Sequence, residues 1–98
     1  MKAKLRLGVS VPNEGARRLA RWIMHQPVGT LDKLMRRIGM GQIAIERMMT
    51  GDTTPVDGVG YQIYAFTGGE VSASDWDAKP EGGWFAPAVA RETMRRAA

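Results

Sequence analysis

The 98-residue chain contains no cysteine and a single histidine, and it has no long hydrophobic run. The absence of cysteine excludes disulfides, thiolate metal sites and a cysteine nucleophile. No stretch approaches the roughly 20 apolar residues that a membrane-spanning helix needs. The first residues, MKAKLRLGVSVPNEG, are basic but contain no apolar segment of signal-peptide length. These absences predict one small, soluble, cytoplasmic domain.

Residue patterns typical of catalysis are also scarce. His25 has no second histidine at metal-ligand spacing, and the glycine pairs are not followed by the Lys-Ser/Thr of a phosphate-binding loop. Asp75 and Asp77 flank Trp76, but this two-residue spacing gives little support for a carboxylate pair. We therefore predict no enzymatic activity, no catalytic residue, no metal site, no cofactor and no small-molecule substrate.

Positive charge is concentrated in the first half of the chain. The net charge is +4. Residues 1–50 contain ten basic and three acidic residues, a net charge of +7, whereas residues 51–98 contain four basic and seven acidic residues, a net charge of −3. A basic half suits a polyanionic partner. Ordinary solvated surface charge explains the same distribution equally well.

The first fifty residues show the periodicities of an extended arm and two helices. KLRLGVSVP alternates apolar and polar residues, which predicts a β-strand or ordered arm over residues 4–11. Asn13 is predicted to cap a helix with an apolar stripe from Ala16 to Met24, and Thr30 a second helix. Arg17 and Arg18 lie off the first stripe.

Gly39 interrupts the most periodic stretch, RRIGMGQIAIERMMTG. A glycine inside a helix costs about 1 kcal/mol relative to alanine. The apolar stripes on its two sides do not continue in phase as one straight helix. We therefore predict that Gly39 lies just past a helix end, in a left-handed conformation, and that another helix begins near Gly41 and ends near Gly51. Two short helices joined by such a turn form a helix-turn-helix unit.

The second half of the chain is richer in turn signals. TTPVDGVGYQIYAFTGG predicts a helix that is capped at Thr54, starts with Pro55 and is closed by Gly68-Gly69. Ser72-Ala73-Ser74-Asp75 offers another cap ahead of a short turn that carries Trp76. The pattern thus predicts an arm or strand at 1–12, a helical domain at 13–77 and a tail at 78–98 with a possible short helix.

The segment TLDKLMRRIGMGQIAIERMMTG resembles the helix-turn-helix of the phage Cro and repressor family, also called the XRE family. The following TTPVDGVGYQIYAFTGGEVSASDW is similar to the tail of Cro-like and YdaS-like regulators. The resemblance covers about residues 14–77 and implies an all-α, lambda-repressor-like domain of four to five short helices. Two residues depart from the family pattern. Family members usually have a small residue in place of Met35, and often have Gln or Ser in place of Leu31.

In that family, the first residues of the second helix contact base edges in the major groove. Carried onto this chain, the resemblance implies base contacts from Gln42, Ile43, Glu46 and Arg47, and Gln42 suits the N6/N7 edge of adenine. It implies contacts to the DNA backbone from Thr30, Lys33, Arg36, Arg37, Gly41 and Thr50. Arg17 and Arg18 would add sequence-independent attraction.

The resulting prediction is a regulator that binds double-stranded DNA sequence-specifically, as a repressor of phage or prophage type. A homodimer is expected, with the arm or the segment from residue 84 onward as its contact. The alternative is a non-enzymatic protein-binding module on the same scaffold, such as an antitoxin, adaptor or phage inhibitor, with Ile43, Trp84 and Phe85 as docking residues. The other aromatic residues are expected in the core or in a dimer interface: Tyr61, Tyr64, Phe66 and Trp76.

Overall fold

Every regular element of the computed structural model, which describes residues 5–86, is helical. The elements are α1 (Glu14–Met24), α2 (Thr30–Ile38), α3 (Gln42–Met49), α4 (Asp57–Phe66) and a 3-10 helix at Ala73–Asp77. The predicted all-α class is confirmed over these residues. The predicted strand is wrong for residues 5–11, which run as an irregular segment, and the possible last helix at 88–98 lies outside the described residues.

Helix α1 packs closely against the 3-10 helix because residue 15 is a glycine. Asn13 accepts a hydrogen bond from the backbone N–H of Ala16 at 2.8 Å, as its capping role predicts. Gly15 lies against the indole of Trp76, and a Cβ at this position would overlap the ring. Trp76 is buried here, as predicted. The close approach therefore depends on glycine at position 15.

The helix-turn-helix break occurs where the periodicity predicts it. Gly39 has φ +67° and ends α2, and Gly51 has φ +85° just after α3. Two capping predictions are wrong. Gly29, with φ +101°, is the N-cap of α2, so that Thr30 is its first residue, and α4 begins two residues after Pro55.

The core gathers the apolar faces of all four helices. Within residues 5–86 it comprises thirteen buried residues: Ala16, Leu19, Ala20, Leu31, Leu34, Ile38, Ile45, Met48, Met49, Ile63, Val71, Trp76 and Trp84. Trp22 and Phe66 join α1 to α4 through an edge-to-face contact with 5.7 Å between ring centroids. Tyr61 and Tyr64 do not join the core, since they are 69% and 43% exposed.

Arg17 and Arg18 are buried rather than exposed to solvent, with 1% and 4% relative accessibility. The carboxylate of Glu14 accepts hydrogen bonds from Arg17 Nη1 at 3.4 Å and from Arg18 Nε at 2.8 Å. Arg18 also lies within 4 Å of Glu70 and Glu81. The prediction that these arginines attract DNA is therefore wrong, because both belong to a buried ion network.

The segment from residue 78 to residue 86 covers this network. The backbone N–H of Glu81 donates to Glu14 Oε1 at 2.9 Å, and that of Glu14 donates to the carbonyl of Ala78 at 3.0 Å. Trp84 is buried and donates from Nε1 to the carbonyl of Gly8 at 2.9 Å. The first part of the predicted tail is thus packed on the domain, and Trp84 is not available for docking a partner.

Two glycines with open space around them should respond to alanine in opposite directions. A Cβ at Gly39 or Gly58 would meet nothing within 4 Å, but only Gly39 has a positive φ. We expect Gly39→Ala to destabilise the domain by about 1 kcal/mol, because an L-residue is strained in the left-handed region. Gly58→Ala should stabilise it by up to about 1 kcal/mol, since alanine favours the helix of α4. Urea unfolding of both variants measures the difference, and equal shifts would contradict this account.

Candidate nucleic-acid interface

The start of α3, which follows the glycine turn, is partly exposed to solvent. Gly41, the N-cap, is exposed and has an extended backbone with φ −82° and ψ 174°. No side chain caps the helix at this end. The first backbone N–H groups of a helix lack intrahelical partners and carry partial positive charge, so they favour anions. This end of α3 therefore has the chemistry that a phosphate contact needs.

Gln42 and Arg36 line one shallow depression between α2 and α3. It has a volume of about 370 Å³ and is completed by Asp32, Met35, Gly39, Met40 and Gly41. Gln42 is half-buried at the first position of α3, whereas Arg36 is exposed. The structure thus brings together a predicted base reader, a predicted backbone contact and the α3 N-cap.

Glu46 connects Gln42 to the N-terminal arm. Its Oε2 accepts a hydrogen bond from Gln42 Nε2 at 3.0 Å and another from the backbone N–H of Arg6 at 3.2 Å. The first contact is one helical turn along α3, and the second crosses 40 residues of sequence. Glu46 is half-buried between these two donors. Its position suits orientation of the Gln42 amide as well as the predicted contact to a base.

Ile43 and Arg47 face a second concave surface, between α3 and the loop that leads to α4. Ile43 is 76% exposed, and Arg47 is also exposed. The groove has a volume of about 520 Å³, and its opposite wall includes Pro55 and Val56. An exposed isoleucine beside a basic side chain can contact a thymine methyl and a phosphate, or an apolar side chain of another protein.

Three of the predicted backbone-contacting residues lie away from the start of α3. Thr30 donates its hydroxyl to the carbonyl of Pro27 at 2.8 Å and lines a separate apolar cavity with Leu5. The guanidinium of Arg37 lies 6.0 Å from the centroid of the Phe66 ring. Thr50 is at the other end of α3, about 12 Å along the helix axis from Gln42.

Lys33 is exposed on α2 and is not one of the residues that line the depression beside Gln42. Two residues near the candidate interface were not predicted. Asp32 lines the depression with Arg36, and their four-residue separation on a predicted helix could have indicated this. Arg6 comes beside α3 through the arm, and nothing in the local sequence indicates that contact. The candidate interface therefore combines acidic and basic side chains.

Comparisons of this chain with protein-family models, curated proteins and solved structures found no match. Within residues 5–86, no helix is both long and apolar enough to cross a bilayer. The same residues contain no group of three or more histidine, cysteine or acidic side chains placed to hold a metal ion. The geometry and charge of the α2–α3 surface are therefore the observations that bear on function.

Proposed function

We propose that this protein is a sequence-specific DNA-binding regulator of the Cro and repressor type, with α3 as the helix that enters the major groove. The observation that carries this proposal is the grouping of Gln42, Gly41 and Arg36 around one depression at the start of α3. In this position, an amide faces the bases while a helix N-terminus and a guanidinium face the phosphates on either side.

The Gln42 amide is supported in a defined orientation. Its nitrogen donates a hydrogen bond to Glu46 Oε2 at 3.0 Å. Recognition of adenine by glutamine needs one N–H for N7 and the carbonyl oxygen for the N6 amino group. A carboxylate that fixes the amide nitrogen also fixes where the amide oxygen points. Glu46 would thus favour adenine over guanine at the contacted position.

Ile43 supports the same placement of α3. Ile43 is 76% exposed, and covering a large aliphatic side chain with an apolar partner is favourable. A thymine C5-methyl group in the major groove is such a partner. Residues 42 and 43 would then read adjacent positions through an amide and an apolar contact.

Electrostatic attraction would come from the exposed cations near α2 and α3, because Arg17 and Arg18 are committed to the buried network. The exposed cations are Arg6, Lys33, Arg36, Arg37 and Arg47. Each phosphate neutralised by such a cation releases condensed counterions, so affinity should fall steeply with salt. A domain with so few base-reading residues would bind as two copies on a pseudo-palindrome and repress by covering a promoter.

A protein-binding module is the second candidate, and the groove beside α3 favours it. Ile43 and Val56 are 76% and 71% exposed and line this groove of about 520 Å³. An apolar contact of this kind would depend weakly on salt, unlike a contact to several phosphates. The salt dependence of binding therefore separates the two candidates.

The decisive experiment is selection of bound sequences from random duplex DNA at two salt concentrations. We expect enrichment of a motif with two half-sites spaced by about one helical turn, and weaker retention at the higher salt concentration. Recovery of no motif at low salt would contradict sequence-specific binding. Salt-independent capture without a motif would contradict a phosphate-based contact altogether.

Two neighbouring arginines provide a matched test of the backbone contacts. Arg36→Ala should weaken binding to all duplexes by a similar factor. It should also reduce the magnitude of the slope of log affinity against log salt concentration by about 1, the contribution of one phosphate contact. Arg37→Ala removes the same charge, but the Arg37 guanidinium lies over Phe66 and should contribute less. Fluorescence anisotropy at several salt concentrations measures both. Equal losses would show that the depression beside Gln42 has no special role.

A further inference from the structure

After its first residue, Asp57, helix α4 contains no charged side chain. Residues 58–69 contain no Asp, Glu, Lys, Arg or His, although 24% of the whole chain is Asp, Glu, Lys or Arg. Four exposed side chains of this helix form what we term the α4 face: Tyr61, Gln62, Tyr64 and Ala65. Tyr61 lies three and four residues from Tyr64 and Ala65, and Gln62 lies three from Ala65, so the four share one side of the helix, opposite the buried Ile63. Solvated helix faces are normally charged, so this surface is unusual for one that stays in water.

The two tyrosines of the α4 face are already ordered against each other. Their ring centroids are 6.2 Å apart and the ring planes differ by 30°. The ring of Tyr64 also lies over Gly69, at van der Waals distance from where a Cβ would be. Rigid aromatic side chains lose little conformational entropy on association, which is why tyrosine is frequent in protein interfaces.

The charge distribution indicates what covers this face. Nucleic acid is a poor fit, because the α4 face offers no cation to a phosphate. In a twofold-symmetric dimer, each patch meets its own copy, so any net charge on the patch would face the same charge. An uncharged tyrosine face avoids this repulsion, whereas the exposed cations of α2 and α3 would not.

The other predicted dimer contacts, the arm and the segment from residue 84, are partly used within the domain. Leu5 and Leu7 of the arm pack against the core, and Trp84 is buried with its indole N–H bonded to Gly8. We therefore propose that two copies of this chain associate through the α4 face, leaving both α3 helices exposed. This inference deepens the proposed function by naming its dimer contact, but self-association can be measured without DNA.

A charge-swap experiment on the full chain tests the proposal. Sedimentation equilibrium without DNA should show the wild type at twice the 10.8 kDa mass of one chain. Tyr61→Asp and Tyr61→Arg should each weaken self-association at least tenfold, because both place like charges across the twofold axis. An equimolar mixture of the two should recover dimers, since opposite charges then meet. Circular dichroism should show unchanged helix content, because position 61 is exposed.

Val28→Asp is the matched control, because it adds the same charge at an apolar position that is 81% exposed in the connection between α1 and α2. It should leave the dimer unchanged. The proposal is overturned by a wild type that stays monomeric at its highest soluble concentration, by a Tyr61→Asp dimer of unchanged strength, or by a mixture that remains monomeric.

Failure of the dimer contact and failure of DNA binding are distinguishable. If Tyr61→Asp is monomeric and still prefers the selected half-site over scrambled DNA, both proposals stand. If the wild type dimerises through the α4 face but selects no DNA motif, only the proposed function is wrong. If the wild type selects a motif while staying monomeric, only the dimer contact is wrong.

Discussion

Replacing Glu14 with alanine should destabilise the domain by about 3–5 kcal/mol. Glu14 is 2% exposed, and its carboxylate accepts hydrogen bonds from Arg17, Arg18 and the backbone N–H of Glu81. A buried ion network is not in itself more stable than well-packed apolar residues. Removal of one partner is nevertheless costly, because buried charge then loses its compensation. Glu14→Ala removes the carboxylate that accepts hydrogen bonds from both buried guanidinium groups.

Urea unfolding followed by tryptophan fluorescence measures this effect. Asp77→Ala is the control, since Asp77 is an exposed acid whose loss should change the free energy of unfolding by less than about 0.5 kcal/mol. Glu14→Gln keeps an acceptor for the backbone N–H of Glu81 but loses the charge. Its loss of unfolding free energy should lie between those of Glu14→Ala and Asp77→Ala. A loss below about 1 kcal/mol for Glu14→Ala would mean that the network relaxes into solvent without unfolding the segment above it.

Truncation of Gln42 to alanine should cost about 1–3 kcal/mol at the selected operator and relax base preference at one position in each half-site. The physical reason is that a bidentate amide contact discriminates adenine from the other bases, whereas alanine offers neither donor nor acceptor. Binding to unrelated DNA should change little, because the phosphate contacts remain.

Competition binding with the operator and its single-base variants measures that loss. Gln26→Ala makes the same change in the connection between α1 and α2, where the side chain lines the cavity beside Leu5 rather than the start of α3. It should leave both affinity and preference unchanged. If Gln42→Ala and Arg36→Ala both leave specific binding intact, α3 is not the reading helix.

Local features of this chain could be predicted from its sequence. Asn13 caps α1, Gly39 ends α2 in a left-handed conformation, and Ser72 forms a capping box with Asp75 ahead of Trp76. Each involves residues within three or four positions of one another, which is the range over which helix periodicity and capping act. The exposure of Ile43 could also be predicted from the sequence, because this residue lies off the apolar stripe of a short helix.

Burial of charged residues and exposure of aromatic ones could not be predicted in this way. Arg17 and Arg18 lie off the apolar stripe of α1 yet are buried, while Tyr61 and Tyr64 are aromatic yet exposed. The residue type determines the free-energy cost of transferring its side chain from water into the interior. It does not say which other part of the chain will cover the residue or compensate its charge.

The sequence by itself therefore determined the helices, the glycine turn before α3 and the exposure of Ile43. Only the tertiary structure decided that Glu81 closes over Glu14 from 67 residues away, that Trp84 binds Gly8 across 76 residues, and that the arm reaches Glu46 across 40. The physical reason is the sequence separation over which each kind of interaction acts. A periodic pattern reports which face of a helix avoids water, whereas a hydrogen bond between distant segments depends on where the whole chain brings donor and acceptor together.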